Sequence, residues 1–204
     1  MEIETLVVGQ LATNCYLAWC SKTQETIIID PADAGDYIGE KILSLELKPR
    51  LIVATHGHFD HVLAVTELKL AFNIPFLIHQ KDKSLLKRSQ KTAKYFTGID
   101  ADPPPQVDQF IKEGDVLNFG EEELKIIETP GHTPGEVCLV DKKVLFSGDT
   151  LFAHGGIGRT DLAGSSKEEI LDSIKNKLLV LPEETIVYPG HGEMTTIREA
   201  KRYF

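Results

Sequence analysis

The chain has 204 residues, with 31 acidic against 22 basic side chains and a formal net charge of −9. That length suits one substantial core and is short for two domains, so residues 1–204 are read as a single domain. The acidic balance argues against a binder of nucleic-acid backbones, whose contact surface is basic. No run of about 18 apolar residues could cross a bilayer, and the start MEIETLVVGQ lacks the features of a secretory signal. A soluble cytoplasmic protein with no membrane partner is the expectation. Cys15, Cys20 and Cys138 are odd in number and form no C-x-x-C pair, so buried thiols are expected rather than disulfides.

Apolar or alternating segments separated by turn residues predict strands at Ile3–Val8, Tyr16–Trp19 and Thr26–Ile29. Helical spacing through Tyr37, Ile38, Ile42 and Leu45 predicts a helix over Asp33–Leu47, ended by Pro49 before a strand at Leu51–Ala54. After a histidine-rich loop come a helix over Val62–Phe72, with Val62, Val65, Leu68 and Leu70–Phe72 inward, a strand at Pro75–Ile78 and a helix over Lys81–Gln90. The basic run Lys81, Lys83, Lys87, Arg88, Lys91 and Lys94 reads as a solvated helix face. Thr92–Gln106 reads as a loop. Strands follow at Gln109–Lys112, Val116–Phe119, Leu124–Glu128, Val137–Val140 and Val144–Ser147, then a glycine-rich loop to Gly164. A helix over Ser166–Leu179, capped by Ser165 or Ser166, and a strand at Thr185–Tyr188 complete an α/β layered pattern.

Thr55-His-Gly-His-Phe-Asp-His61 sits between a strand and a helix, where layered sheets place ligands. Three imidazoles and a carboxylate so close together are not core packing, because each buried polar group would need its own partner. His and Asp suit Zn²⁺ and other borderline divalent metals. In this spacing His56 and His58 can address one ion while Asp60 and His61 address another. His132 in TPGHTPGE, Asp149 in FSGDT and His191 in YPGHGE each follow a strand and neighbour a glycine that lets the backbone come close to an ion. Two metals about 3.5 to 4 Å apart share a carboxylate and lower the pKa of a bound water, which yields a hydroxide nucleophile for esters, thioesters and lactams.

T-H-G-H-F-D-H, P-G-H-T-P-G, S-G-D-T-L-F and P-G-H-G, in that order over essentially the whole chain, resemble the metallo-β-lactamase-fold superfamily. The resemblance implies a four-layer αββα sandwich with a dinuclear site at one edge of the sheets. It implies that His56, His58 and His132 hold one metal, that Asp60, His61 and His191 hold the other, and that Asp149 bridges them. Asp60 and Asp149 are then the catalytic carboxylates. Zn²⁺ is the expected ion, with Fe or Mn compatible.

Within the superfamily the chain is similar to short glyoxalase II-like (hydroxyacylglutathione hydrolase-like) enzymes, which carry a segment like Ile157-Gly-Arg-Thr-Asp161. This implies cleavage of a small-molecule acyl-thiol or ester, such as S-lactoylglutathione, by a metal-bound hydroxide. Lactone or ester hydrolysis on the same site is an alternative, as is a mononuclear Fe(II) persulfide dioxygenase. An aspartate where β-lactamases of the superfamily commonly carry cysteine disfavours antibiotic hydrolysis. Arg159 either meets a substrate carboxylate or pairs with Asp161 to shape its loop. His79 and His154 are read as non-ligands, Phe59, Tyr95 and Phe96 as an apolar rim or core, and Asp30 and Thr133 as groups that orient ligand imidazoles. Oligomeric state is left open.

Overall fold

Most strands of this chain carry apolar residues on both faces, and such strands need cover on both sides. In the computed structural model, which describes residues 1–204, that cover is four layers deep. The first sheet joins β1 (Glu2–Val8), β2 (Thr13–Trp19), β3 (Glu25–Ile29), β4 (Lys48–Val53), β5 (Phe76–His79) and β6 (Gln109–Ile111) in chain order. β1 to β3 pair antiparallel, and β3 to β6 pair parallel. The second sheet joins β7 (Val116–Phe119), β8 (Glu122–Glu128), β9 (Val137–Val140), β10 (Val144–Gly148), β11 (Ile186–Pro189) and β12 (Thr195–Thr196). All its pairs are antiparallel except β10 with β11.

Period-two alternation assigns each strand's side chains to different layers. Tyr16, Ala18, Ile27 and Ile29 meet Leu139 and Phe146 in the core between the sheets. Their neighbours Cys15, Leu17 and Ile28 turn outward, onto Ile38 and Ile42 of α1 (Gly35–Ser44) and Val65 and Leu68 of α2 (Val65–Phe72). On the far side Cys138, Leu145 and Val187 pack under Ile170 of α5 (Lys167–Ser173) and Ile197 and Ala200 of α6 (Ile197–Ala200). The fold is the αββα sandwich expected. All three cysteines are free and buried.

Several element boundaries differ from expectation. α2 begins at Val65, because Phe59–His61 forms a tight 3₁₀ turn, closed by the His61 N–H on the His58 carbonyl. Leu70 is 77% exposed: two residues beyond buried Leu68, it points to nearly the opposite helix face. Lys81–Gln90 is not one helix but a 3₁₀ turn (Gln80–Asp82), α3 (Lys83–Leu86) and the start of α4 (Ser89–Thr97). α4 also takes in the start of the expected loop, Thr92–Thr97. Its buried residues are the small Ser89 and Ala93, which leave a weak apolar period. Pro49 lies inside β4 at a register shift opposite Thr26 and Ile27, where the missing N–H is tolerated. Ser166, rather than Ser165, caps α5, its hydroxyl accepting the Glu169 N–H at 3.2 Å. The helix then continues as a π turn over Ile174–Leu178.

Candidate metal centre

Four strand ends converge at one edge of the sandwich. β4 leads into His56–His61, β8 into His132, β10 into Asp149 and β11 into His191. Backbone hydrogen bonds stitch these loops across the sheets: Val137 N–H to the Thr55 carbonyl at 2.9 Å, Gly190 N–H to Gly148 at 2.7 Å and Asn14 N–H to Gly190 at 2.8 Å. Side chains of β2 reinforce the last loop. The Asn14 amide donates to the carbonyls of Pro189 and Gly192, both at 2.9 Å, and the Tyr16 hydroxyl donates to Pro189. The sequence reading missed Asn14 and Tyr16, whose polarity is unremarkable in a strand until its partner is known. Glycine at 190 has a steric cause, since a Cβ there would run into Asp149 Oδ1.

The seven nominated donors form three adjoining triads, with the donor atoms of each within 4.8 Å of one another: His56, His58 and His132; His56, His61 and Asp149; Asp60, His61 and His191. Asp149 lies at the junction. Its Oδ2 is 3.5 Å from His132 Nε2, while its Oδ1 is 3.5 Å from His61 Nε2 and 3.7 Å from His191 Nε2. His58 Nδ1 and His132 Nε2 approach to 2.9 Å. His56 Nε2, His61 Nε2 and Asp149 Oδ1 are buried with no hydrogen-bond partner. Buried polar atoms are rarely left so. Three converging at one point is the arrangement a divalent cation satisfies, and the all-His and His/Asp donor sets suit such ions.

Four of the five imidazoles are oriented from behind. His61 Nδ1 meets Asp30 Oδ2 at 3.0 Å, His132 Nδ1 the Arg159 carbonyl at 2.9 Å, and His191 Nδ1 the Leu11 carbonyl at 3.1 Å. His56 Nδ1 faces Thr55 Oγ1 at 3.1 Å and Glu136 Oε2 at 3.5 Å. These contacts leave the opposite ring nitrogens aimed inward. Asp30 thus sits behind a candidate ligand as expected. Thr133 does not: its hydroxyl donates to Asp82 at 2.7 Å.

Electrostatics divides the cluster in metal-free form. Burial holds His58 and His132 down to about 4 and keeps His56 well below the usual imidazole value, so these imidazoles carry free lone pairs at neutral pH. Burial also opposes charge on His61, but the carboxylates of Asp30 and Asp149 outweigh it and raise His61 to about 10. His191 moves upward against burial too, through its hydrogen bond with Asp60. Behind the cluster, burial pushes the Glu136 carboxyl well up, reinforced by neighbouring Asp149.

In front of the donors lies a cavity of about 550 Å³ lined by His58, Asp60, His132, Asp149 and His191. Phe59 and Phe96 form part of its wall with rings stacked at 6.1 Å, whereas Tyr95 is 82% exposed and lies outside it. Arg159 lines the mouth, yet it is held in a two-pronged ion pair with Asp161, Nε to Oδ1 at 2.9 Å and Nη2 to Oδ2 at 2.7 Å. Arg88, read from sequence as part of a solvated face, also lines the cavity and has no carboxylate within ion-pair distance. His79 is buried, accepting the Lys81 N–H and facing Glu128 at 3.1 Å; His154 is exposed beside Glu193.

The profile of the Metallo-beta-lactamase superfamily matches residues 8–191. Hydroxyacylglutathione hydrolase GloC of Haemophilus influenzae is 38% identical, over 99% of this chain and 96% of that protein. The crystal structure of BLEG-1 B3 metallo-beta-lactamase superposes with a TM-score of 0.91 at 34% identity, covering 98% of this chain and 97% of that one. The structure of TTHA1623 in a di-iron-bound form superposes at 0.88 with 34% identity, covering 98% of each chain.

Proposed function

Since the chain belongs to the metallo-beta-lactamase superfamily, we propose that it is a dinuclear hydrolase that cleaves a thioester such as S-lactoylglutathione. The observation that carries the two-ion reading is Asp149, which turns one carboxylate oxygen toward His132 and the other toward His61 and His191. His56, His58 and His132 would hold one ion and Asp60, His61 and His191 the other, with Asp149 shared. Zn²⁺ suits the donors, and a di-iron form of a similar structure makes iron a second candidate. When bound, such a pair supplies Lewis-acid polarisation and a water of lowered pKa.

The chain's own residues do the rest. Phe59 and Phe96 give the acyl-thiol an apolar wall that excludes water. Arg88, unpaired at the mouth, orients an anionic group on the thiol portion, while Arg159 is neutralised by Asp161. A thiolate is a leaving group of low basicity and needs no proton from the protein, and none of the acids lining the cavity is placed apart from the metal-donor cluster to give one.

The test is hydrolysis of S-D-lactoylglutathione by zinc-loaded protein, followed as loss of thioester absorbance beside a His132→Ala control. Turnover abolished in the control supports the reading. Turnover no greater than the control sinks it. The likeness to a B3 metallo-beta-lactamase makes a chromogenic cephalosporin the necessary second substrate. Faster cleavage of that lactam would replace the thioesterase reading. One tightly held equivalent of Fe with oxygen uptake on a persulfide would replace it with a dioxygenase.

A further inference from the structure

We propose that Asp82 is a positioning residue that holds the two loops carrying His56, His58 and His132 in metal-binding register. Asp82 closes the 3₁₀ turn after β5 and is fully buried. Its Oδ2 accepts the Gly57 N–H at 2.9 Å and the Thr133 hydroxyl at 2.7 Å, and its Oδ1 accepts the Gly135 N–H at 2.7 Å. Gly57 stands between His56 and His58, and Thr133 directly follows His132. One carboxylate therefore joins both loops of the all-histidine triad and makes no hydrogen bond to Asp60, His61 or His191.

The packing points the same way. A Cβ on Gly57 would lie 2.8 Å from the Asp82 carbonyl oxygen, and a Cβ on Gly135 would lie 2.6 Å from Asp82 Oδ1 and 2.9 Å from its nitrogen. Both loops thus approach Asp82 more closely than any side chain allows, which gives these two glycines a cause that a turn alone does not. No lysine or arginine pairs with the carboxylate, so these three hydrogen bonds are its direct compensation inside the protein. Asp30, by contrast, touches His61 directly and reaches His56 only through Thr55.

The inference rests on the metal-centre reading but not on the substrate, and its test measures metal rather than turnover. Zn²⁺ is titrated against a chromogenic chelator in the wild type, Asp82→Asn, Thr133→Ala and Thr133→Ser. His132→Ala and His191→Ala identify which equivalent belongs to which triad. In Asp82→Asn at least one of the three donors faces an amide N–H instead of an oxygen. The equivalent lost in His132→Ala should then weaken about 10- to 100-fold, as for other groups that orient ligands. The equivalent lost in His191→Ala should stay within about twofold. Thr133→Ala should weaken the same first equivalent several-fold, and Thr133→Ser should restore it. Equal weakening of both equivalents, or none, overturns the proposal. If Asp82→Asn does not fold, unchanged first-equivalent affinity in Thr133→Ala overturns it. A wild type that takes up no metal overturns the metal-centre reading and this proposal together, whereas normal wild-type uptake with an unaffected Asp82→Asn overturns this one alone.

Discussion

Replacing Asp30 by Asn keeps the side chain's volume and removes its charge, which isolates what that carboxylate contributes. Asp30 is 1% exposed and accepts three hydrogen bonds: Thr55 N–H at 2.7 Å, Thr55 Oγ1 at 2.8 Å and His61 Nδ1 at 3.0 Å. Asn retains one accepting oxygen. If that oxygen keeps the Thr55 N–H, the new NH₂ faces His61, and a charge-assisted bond is lost. Such bonds contribute about 1.5–3 kcal/mol each, and the relief of burying one charge fewer offsets part of the loss. A net cost of about 2 kcal/mol, at about 2–4 °C per kcal/mol for a chain of this size, lowers Tm by about 4–8 °C.

The pH dependence has a definite sign. In the chelated wild type the folded His61 pKa, about 10, lies above its unfolded value. Its contribution is therefore complete below about pH 6.5 and fades as pH rises through the folded pKa. The mutant lacks the Asp30 part of that contribution, so its deficit should be largest near pH 7 and shrink toward pH 9.5. Melting curves by circular dichroism in excess chelator at the two pH values check this. A mutant within about 2 °C of wild type at pH 7, or a deficit that grows with pH, refutes the reasoning.

Lowering pH from 7.5 to 5.5 should weaken the metal equivalent lost in His191→Ala more than the one lost in His132→Ala. His61, raised to about 10, holds a proton that a cation must displace and His191 is shifted the same way, whereas burial holds His58 and His132 down to about 4; chelator competition at both pH values with equal losses would contradict this. Stripping metal from the wild type at neutral pH should lower Tm by about 5–11 °C, taking about 2.7 kcal/mol of binding-linked stability at a free metal level of 100 Kd. Differential scanning calorimetry that shows no shift would mean the donors hold no ion in solution. Arg88→Ala should raise KM for a carboxylate-bearing thioester about 5- to 10-fold with little change in kcat, the pattern of lost ground-state binding. A smaller effect there than in Arg159→Ala would reverse the roles assigned to the two arginines.

The sandwich was legible where apolar side chains run unbroken. Ile27, Ile28 and Ile29 announce a strand buried on both faces, and the run from Val137 to Val140 does the same. α4 was not legible, because the face it buries consists of Ser89 and Ala93, and small residues leave little apolar period. The short β12 and α6 escaped for want of length: two strand residues and one helical turn acquire their order from packing Ile197 and Ala200 under the second sheet.

The sequence by itself determined which residues could serve as donors. Imidazole and carboxylate side chains clustered at strand ends are too polar to bury without a shared purpose, and that holds whatever the loops do next. Only the tertiary structure decided which donors face one another, that Asp149 points an oxygen each way, and that Arg159 is paired while Arg88 is not. It alone revealed Asn14, Tyr16 and Asp82, ordinary polar residues whose partners lie 25 to 178 positions away along the chain. Local spacing encodes a side chain's chemistry, but the direction in which it points is settled by contacts between segments that meet only after the sheets have closed on each other.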